Sequence, residues 1–96
     1  MSLSPRQRAQ LKARAHALEP VVQVGQGGAS ASVLAEVDRA LTAHGLIKVR
    51  LATADRDGRR ELANALSAQT GAAAVQQVGK VLVLWRPRPE DEPLPG

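Results

Sequence analysis

VVQVGQGGASASVL, residues 21–34, reads as a β-strand, three glycines within four residues, and the start of a helix. A loop almost without side chains between a strand and a helix admits three uses. It can make a tight turn and nothing more, cradle the phosphate of a nucleotide, or let a longer nucleic-acid backbone approach. Gly25, Gly27 and Gly28 can reach backbone angles closed to other residues, and their missing side chains permit close contact. The following helix begins with unpaired N–H groups, so loop and helix start together offer a place for an anion. The turn-only reading satisfies the same groups with Ser30 and water.

Outward from the loop, the chain alternates helix and strand. Upstream, SPRQRAQLKARAHALEP opens on Ser4 as a cap, Pro5 at the first helical position and Gln7 where a capping box needs it. Leu11, Ala15 and Leu18 recur at helical spacing, and Pro20 ends the helix nearby. Downstream, a helix starting at Ser30 or Ser32 carries Val33, Leu34, Val37 and Leu41 on one stripe, with Gly45 placed to stop it. In LIKVRLA, Ile47, Val49 and Leu51 share one strand face while Lys48 and Arg50 point the other way. TADRDG reads as a turn that uses Asp55 and Asp57, leading to a helix over 59–70. In that helix Leu62 and Leu66 face the core, helped by Ala63, Ala65 and the stem of Gln69, and Gly71 ends it. AAVQQVGKVLVLWRP predicts two strands joined at Gly79-Lys80 by a type II′ turn. Val81, Val83 and Trp85 alternate with Leu82 and Leu84, so the last strand belongs inside the sheet with cover on both faces.

The fold class is therefore α/β: a compact α-β-α-β-α-β-β domain with a four-stranded mixed sheet. Its βαβ connections favour right-handed crossovers, and the final hairpin adds an antiparallel pair. Residues 1–88 form the domain. Pro87, Pro89, Pro93 and Pro95 deny regular structure to 89–96, an acidic tail expected to be loose.

Composition narrows the partner. Thirteen Lys and Arg face nine Asp and Glu in 96 residues, a net charge of +4. Glu90, Asp91 and Glu92 lie in the tail, so residues 1–88 set thirteen bases against six acids, a balance of +7. A field of that sign suits a polyanion, nucleic acid before membrane. Trp85 is the single aromatic residue, which argues against a stacking platform of the RRM kind and for phosphate and ribose contacts. No stretch is apolar enough to span a bilayer, no signal-peptide segment opens the chain, and Cys is absent, so a cytoplasmic location is expected.

Enzyme chemistry finds little footing. GQGGAS matches the start of a dinucleotide fingerprint but puts Ser30 where Gly or Ala belongs, and Asp55 lies about 30 residues on instead of about 20. A P-loop fails for want of Gly-Lys-Ser/Thr. His16 and His44 have no metal-ligand spacing and fit the C-terminal ends of two helices. No catalytic residue, metal or cofactor is expected.

LKARAHALEPVVQVGQGGASASVLAEVDRALTAHGLIKVRL, followed by TGAAAVQQVGKVLVLWRP, resembles the bacterial YhbY proteins, stand-alone forms of the CRM (chloroplast RNA splicing and ribosome maturation) domain. The resemblance runs through about residues 2–88, and is carried by the GxxG loop at Gly25–Gly28, LIKV at 46–49 and VGK before the last strand. It implies a fold similar to the C-terminal domain of translation initiation factor 3. It also implies RNA binding in association with precursors of the large ribosomal subunit, ribosomal proteins being further possible partners. By that resemblance Gly25 and Gly28 define an RNA-contacting loop like that of KH domains, and Lys48 and Lys80 match basic positions of the family. Gln26 stands where many members have Lys, and Ala29-Ser30 replaces a hydrophobic-Thr pair, which shifts weight to cations elsewhere.

The expected function is thus non-catalytic RNA binding by a monomer on structured ribosomal RNA, in aid of subunit assembly. Gly25, Gln26, Gly27 and Gly28 would meet the backbone, with Arg6, Arg8, Lys12, Arg14, Lys48, Arg50 and Lys80 as the pool of cations. A ribosome-associated protein–protein module and a small nucleotide-dependent enzyme are the alternatives.

Overall fold

Ser4 starts the first helix, α1 (Pro5–Ala15), with a complete capping box. Its Oγ accepts from the Gln7 N–H at 3.1 Å, and Gln7 Oε1 accepts from the Ser4 N–H at 3.0 Å, so two donors at the helix start are satisfied reciprocally. The computed structural model describes residues 2–52, 55–89 and 91. After α1 come β1 (Pro20–Val24), α2 (Ala31–His44), β2 (Leu46–Leu51), α3 (Arg56–Thr70), β3 (Ala73–Val78) and β4 (Val81–Trp85), the element order expected from the sequence. Among the described residues no helix is long and apolar enough to cross a membrane.

The four strands form one mixed sheet in the order β1-β2-β4-β3. β1 and β2 are parallel, as a βαβ crossover requires, and both contacts of β4 are antiparallel. The double apolar face of β4 is explained by its inner position. Leu82 and Leu84 join Val22, Val24, Ile47, Val49 and Leu51 under α2 and α3, where Val37, Leu41, Ala63 and Leu66 close the larger core. Val83 joins Leu46 and Val75 on the other face, under Leu11 and Ala15 of α1. Each fully buried Leu or Ile contributes about 2 kcal/mol relative to exposure. The result is three layers, with two helices over one face of the sheet and one over the other. That asymmetry matters for function, because a single helix leaves part of its face open.

Two details of the third helix differ from the sequence reading. The third helix begins at Arg56, not 59: Asp55 caps it, its Oδ1 accepting from the Gly58 N–H at 2.8 Å. The stretch that looks like a turn is therefore a capped first helical turn; Thr53 and Ala54 lie outside the described residues. Gln69 is exposed and gives the core nothing. Thr70 is buried in its place, its Oγ1 donating to the Leu66 carbonyl at 2.6 Å. Gly45 and Gly71 do end their helices, and Gly79 has φ 57 while no non-glycine residue has positive φ, the pattern of a type II′ turn at Gly79-Lys80.

Arginines brace the periphery. β3 is an edge strand with a bulge between Ala74 and Gln76. Arg8 Nη1 donates to the carbonyls of Ala74 at 2.8 Å and Val75 at 2.5 Å, occupying acceptors at that irregularity. Beyond β4, Arg86 donates to Asp38 Oδ1 at 2.7 Å, the Thr70 carbonyl at 2.8 Å and Thr42 Oγ1 at 3.0 Å, tying α2 to the end of α3. Arg88 donates to the Ala43 carbonyl at 2.7 Å and pairs with Asp91 at 2.8 Å. Asp91 is thus held, within a segment expected to be loose; residues 90 and 92–96 lie outside the described residues.

Candidate nucleic-acid interface

The glycine loop leaves β1 after the fully buried Val24 and turns at once. The Gly28 N–H donates to the Gly25 carbonyl at 3.0 Å and the Ser30 N–H to the Gly28 carbonyl at 2.9 Å. Ser30 then caps α2, its Oγ accepting from the Val33 N–H at 3.3 Å. The three glycines are not equivalent. Gly28 has φ +62, and a Cβ there would lie 3.4 Å from Leu62 Cδ2, so the turn itself needs a glycine. Gly25 and Gly27 have no positive φ, and a Cβ at either would meet nothing within 4 Å. The fold of the monomer asks nothing of them; they keep a surface bare. The N–H groups of Gln26, Gly27 and Ala29 have no hydrogen-bond partner among the described residues, which leaves donors for an anion.

The topology brings other elements to the same end of the sheet. Val24 lies opposite Leu51 in the parallel register, and the Ala52 N–H donates to the Val24 carbonyl at 2.9 Å. The Leu51 N–H donates to the Lys80 carbonyl at 2.6 Å, which fixes the β3–β4 hairpin beside the end of β2. α3 starts here too, and its Arg56, Arg59 and Arg60 surround a shallow recess of roughly 240 Å³ with Gln77 and Gly79. Asp55 shares that turn, its carboxylate engaged as the helix cap.

On the α1 face, an open groove of roughly 300 Å³ runs between the helix and the uncovered part of the sheet. Lys12, Ala15 and His16 line one side, Lys48 and Gln76 stand on the strands, and Val78, Val81 and Val83 complete it. Arg50 pairs in register with Val81 and by strand alternation projects from the same face as Lys48. It is exposed, and Lys48 half-buried.

The cations proposed from sequence are therefore divided. Lys12 and Lys48 line the groove, Arg50 shares the sheet face of Lys48 beside Val81, and Lys80 stands in the hairpin at the glycine end. Arg8 is bonded to backbone carbonyls of β3. Arg14 lines a different groove with Leu18, Glu19, Val21 and His44, at the end of the sheet away from the glycines. Arg6 is exposed on α1 and lines neither groove. His16, read from the sequence as a helix-end residue, also lines the groove, and Arg56, Arg59 and Arg60 of α3 lie outside the set proposed from sequence. Positions 56, 59 and 60 share one helical face, a signal that becomes visible once the helix is started at Asp55.

His16 and His44 stand at the ends of α1 and α2 and line separate grooves. Among the described residues no group of three or more His, Cys, Asp or Glu is placed to hold a metal ion.

Comparison with known proteins agrees with this architecture. The model for the CRS1/YhbY (CRM) domain matches residues 3–86. An RNA-binding protein of Haemophilus influenzae is 47% identical over 89 residues, covering 93% of this chain and 90% of the relative. A protein of Pseudomonas aeruginosa named as a probable RNA-binding protein is 44% identical over 90 residues, covering 94% and 86% respectively. The solution structure of a hypothetical protein from Staphylococcus aureus superposes with a TM-score of 0.83 at 32% identity, over 95% of both chains.

Proposed function

The chain belongs to the CRS1/YhbY (CRM) domain family, and on that premise we propose that it is a non-catalytic RNA-binding protein that attaches to ribosomal RNA in precursors of the large ribosomal subunit and assists their assembly. The observation that carries this reading is the bare loop: Gly25 and Gly27 are glycines that the monomer does not need, beside unpartnered N–H groups and at the end of the sheet where Lys80 lies. A phosphate can come within hydrogen-bond distance of such a backbone, and the sugar-phosphate chain then passes Lys12, Lys48 and Arg50. Contacts of this kind position an RNA without reading its sequence. Ribosomal RNA supplies the folded, densely charged substrate they suit. On this reading the working unit is residues 1–88, monomeric and cytoplasmic, with a fold like that of the C-terminal domain of translation initiation factor 3 and a loop used in the KH manner.

The test is a salt titration of binding to protein-free fragments of large-subunit ribosomal RNA. If Lys12, Lys48, Arg50 and Lys80 each neutralise one phosphate of a single strand, log K should fall against log salt with a slope of about −3. Between 50 and 200 mM salt that is a loss of about fiftyfold. Binding that ignores salt refutes the mechanism. Binding only to protein-bearing precursor particles, with none to bare RNA, supports the protein-contact alternative instead.

A further inference from the structure

The groove between α1 and the open half of the sheet is more than a row of charges. Val78, Val81 and Val83 give it an apolar wall, and Val78 is 61% exposed, one of two large hydrophobic side chains left in solvent among the described residues. Lys12 and Lys48 supply positive charge and His16 an imidazole, and among the described residues no acidic side chain lines the groove. Gln76 adds an amide that can both donate and accept. Apolar surface bounded by cations, with one two-way polar group, matches the chemistry of a nucleotide: a ring with apolar faces and polar edges, joined on both sides to phosphates. We infer that this groove seats one unstacked nucleobase of single-stranded RNA, an inference that rests on the RNA-binding reading above.

The opening of roughly 300 Å³ is at the lower end of the volumes that hold small ligands, suited to one ring system. A base inside a duplex has both faces stacked and could not enter, so the substrate class is RNA with a loop, bulge or unpaired end. Proteins that hold single strands usually stack bases on aromatic rings. Here Trp85 packs against the smaller core, and the valine side chains take over the contact. Because the Gln76 amide can serve either a donor or an acceptor edge, the seat tolerates more than one base. The phosphates flanking the seated base fall to Lys12 and Lys48, which joins the groove to the path from the glycine loop.

The experiment is an abasic scan. A single-stranded ribosomal RNA oligomer that binds the full-length protein is compared, by fluorescence anisotropy, with copies carrying one abasic ribose at each position in turn. One position should lose about tenfold in affinity, on the order of one stacked base, while the salt slope is unchanged. Val78→Thr and Val81→Thr keep the β-branched shape, and each should abolish that positional penalty in a protein that still unfolds cooperatively. Val21→Thr makes the same change on exposed β1 and should leave the penalty intact. Salt-sensitive binding with no abasic penalty anywhere overturns the base seat and leaves the RNA-binding reading standing. A penalty that survives in both folded groove variants also overturns it, as would a groove that serves an apolar peptide. Failure of any RNA to bind overturns both.

Discussion

Adding one methyl group to the glycine loop should have opposite consequences at two positions one residue apart. At Gly28 the backbone has φ +62, where an L-residue costs roughly 1–2 kcal/mol, and the new Cβ would meet Leu62 Cδ2 at 3.4 Å, an ordinary contact that adds little. Gly28→Ala should therefore lose about 1–2 kcal/mol, a fall in Tm of roughly 5–15 °C for a domain of this size. At Gly27 there is no positive φ and nothing within 4 Å of a Cβ. Gly27→Ala should be neutral, or stabilised by up to about 1 kcal/mol because alanine restricts the unfolded chain. Its effect belongs to binding: a methyl that holds a phosphate away from one N–H should cost about 1.5 kcal/mol, close to tenfold in affinity. Urea unfolding and anisotropy on the same two variants separate these outcomes. Gly27→Ala with wild-type stability and wild-type affinity would show that no RNA backbone approaches the loop. Equal destabilisation at both positions would refute the geometric distinction itself.

Other expectations follow from single contacts. Lys48→Gln should weaken binding to all RNA sequences alike and reduce the salt slope by about 0.7, measured by anisotropy at several salt concentrations. Arg86→Met keeps the aliphatic stem but strands the Thr70 carbonyl and removes the peripheral tie between α2 and α3, and should lower stability by about 1–2 kcal/mol in urea. The Asp38 pair itself contributes little of this, since Asp38 is 58% exposed. Hydrogen bonds from the Arg88 side chain and then its backbone N–H hold the Asp91 carboxyl below its ordinary value of 3.8. The folded state thus binds that proton less readily than the unfolded chain does. The stabilisation is fully present above the ordinary value and disappears as pH falls through the lowered one. In urea midpoints measured against pH, Asp91→Asn should differ from wild type near neutrality and converge with it in acid.

Local chemistry made most of the fold legible. Ser4 with Gln7, Ser30 before an apolar stripe, and Gly79-Lys80 between alternating strands each announce one element and leave little choice. The start of α3 was obscured because Asp-Arg-Asp-Gly suits a turn as well as a capped helix, and Gly58 in the first turn is the residue that receives the cap. The interface was harder for a different reason. Arg8, Lys12 and Arg14 are near neighbours on one helix, yet one braces an edge strand, one lines the basic groove and one faces the opposite end. Which of them share a surface depends on how α1 lies across β2, β4 and β3, a long-range arrangement that no local pattern encodes. The glycines stood out from the start, but only the backbone angles separate the one the turn requires from the two it does not.

The sheet is polar in the geographical sense as well. Trp85 pairs with Leu46, so the polypeptide leaves β4 at the pole opposite Gly25–Gly28, and Arg88 then anchors it to the Ala43 carbonyl near the close of α2. A dye or a solid support attached at Arg88 would sit at the rear of the particle. A protein tethered that way offers its glycine pole outward and unshadowed, the orientation in which a capture assay would test the proposed loop contact.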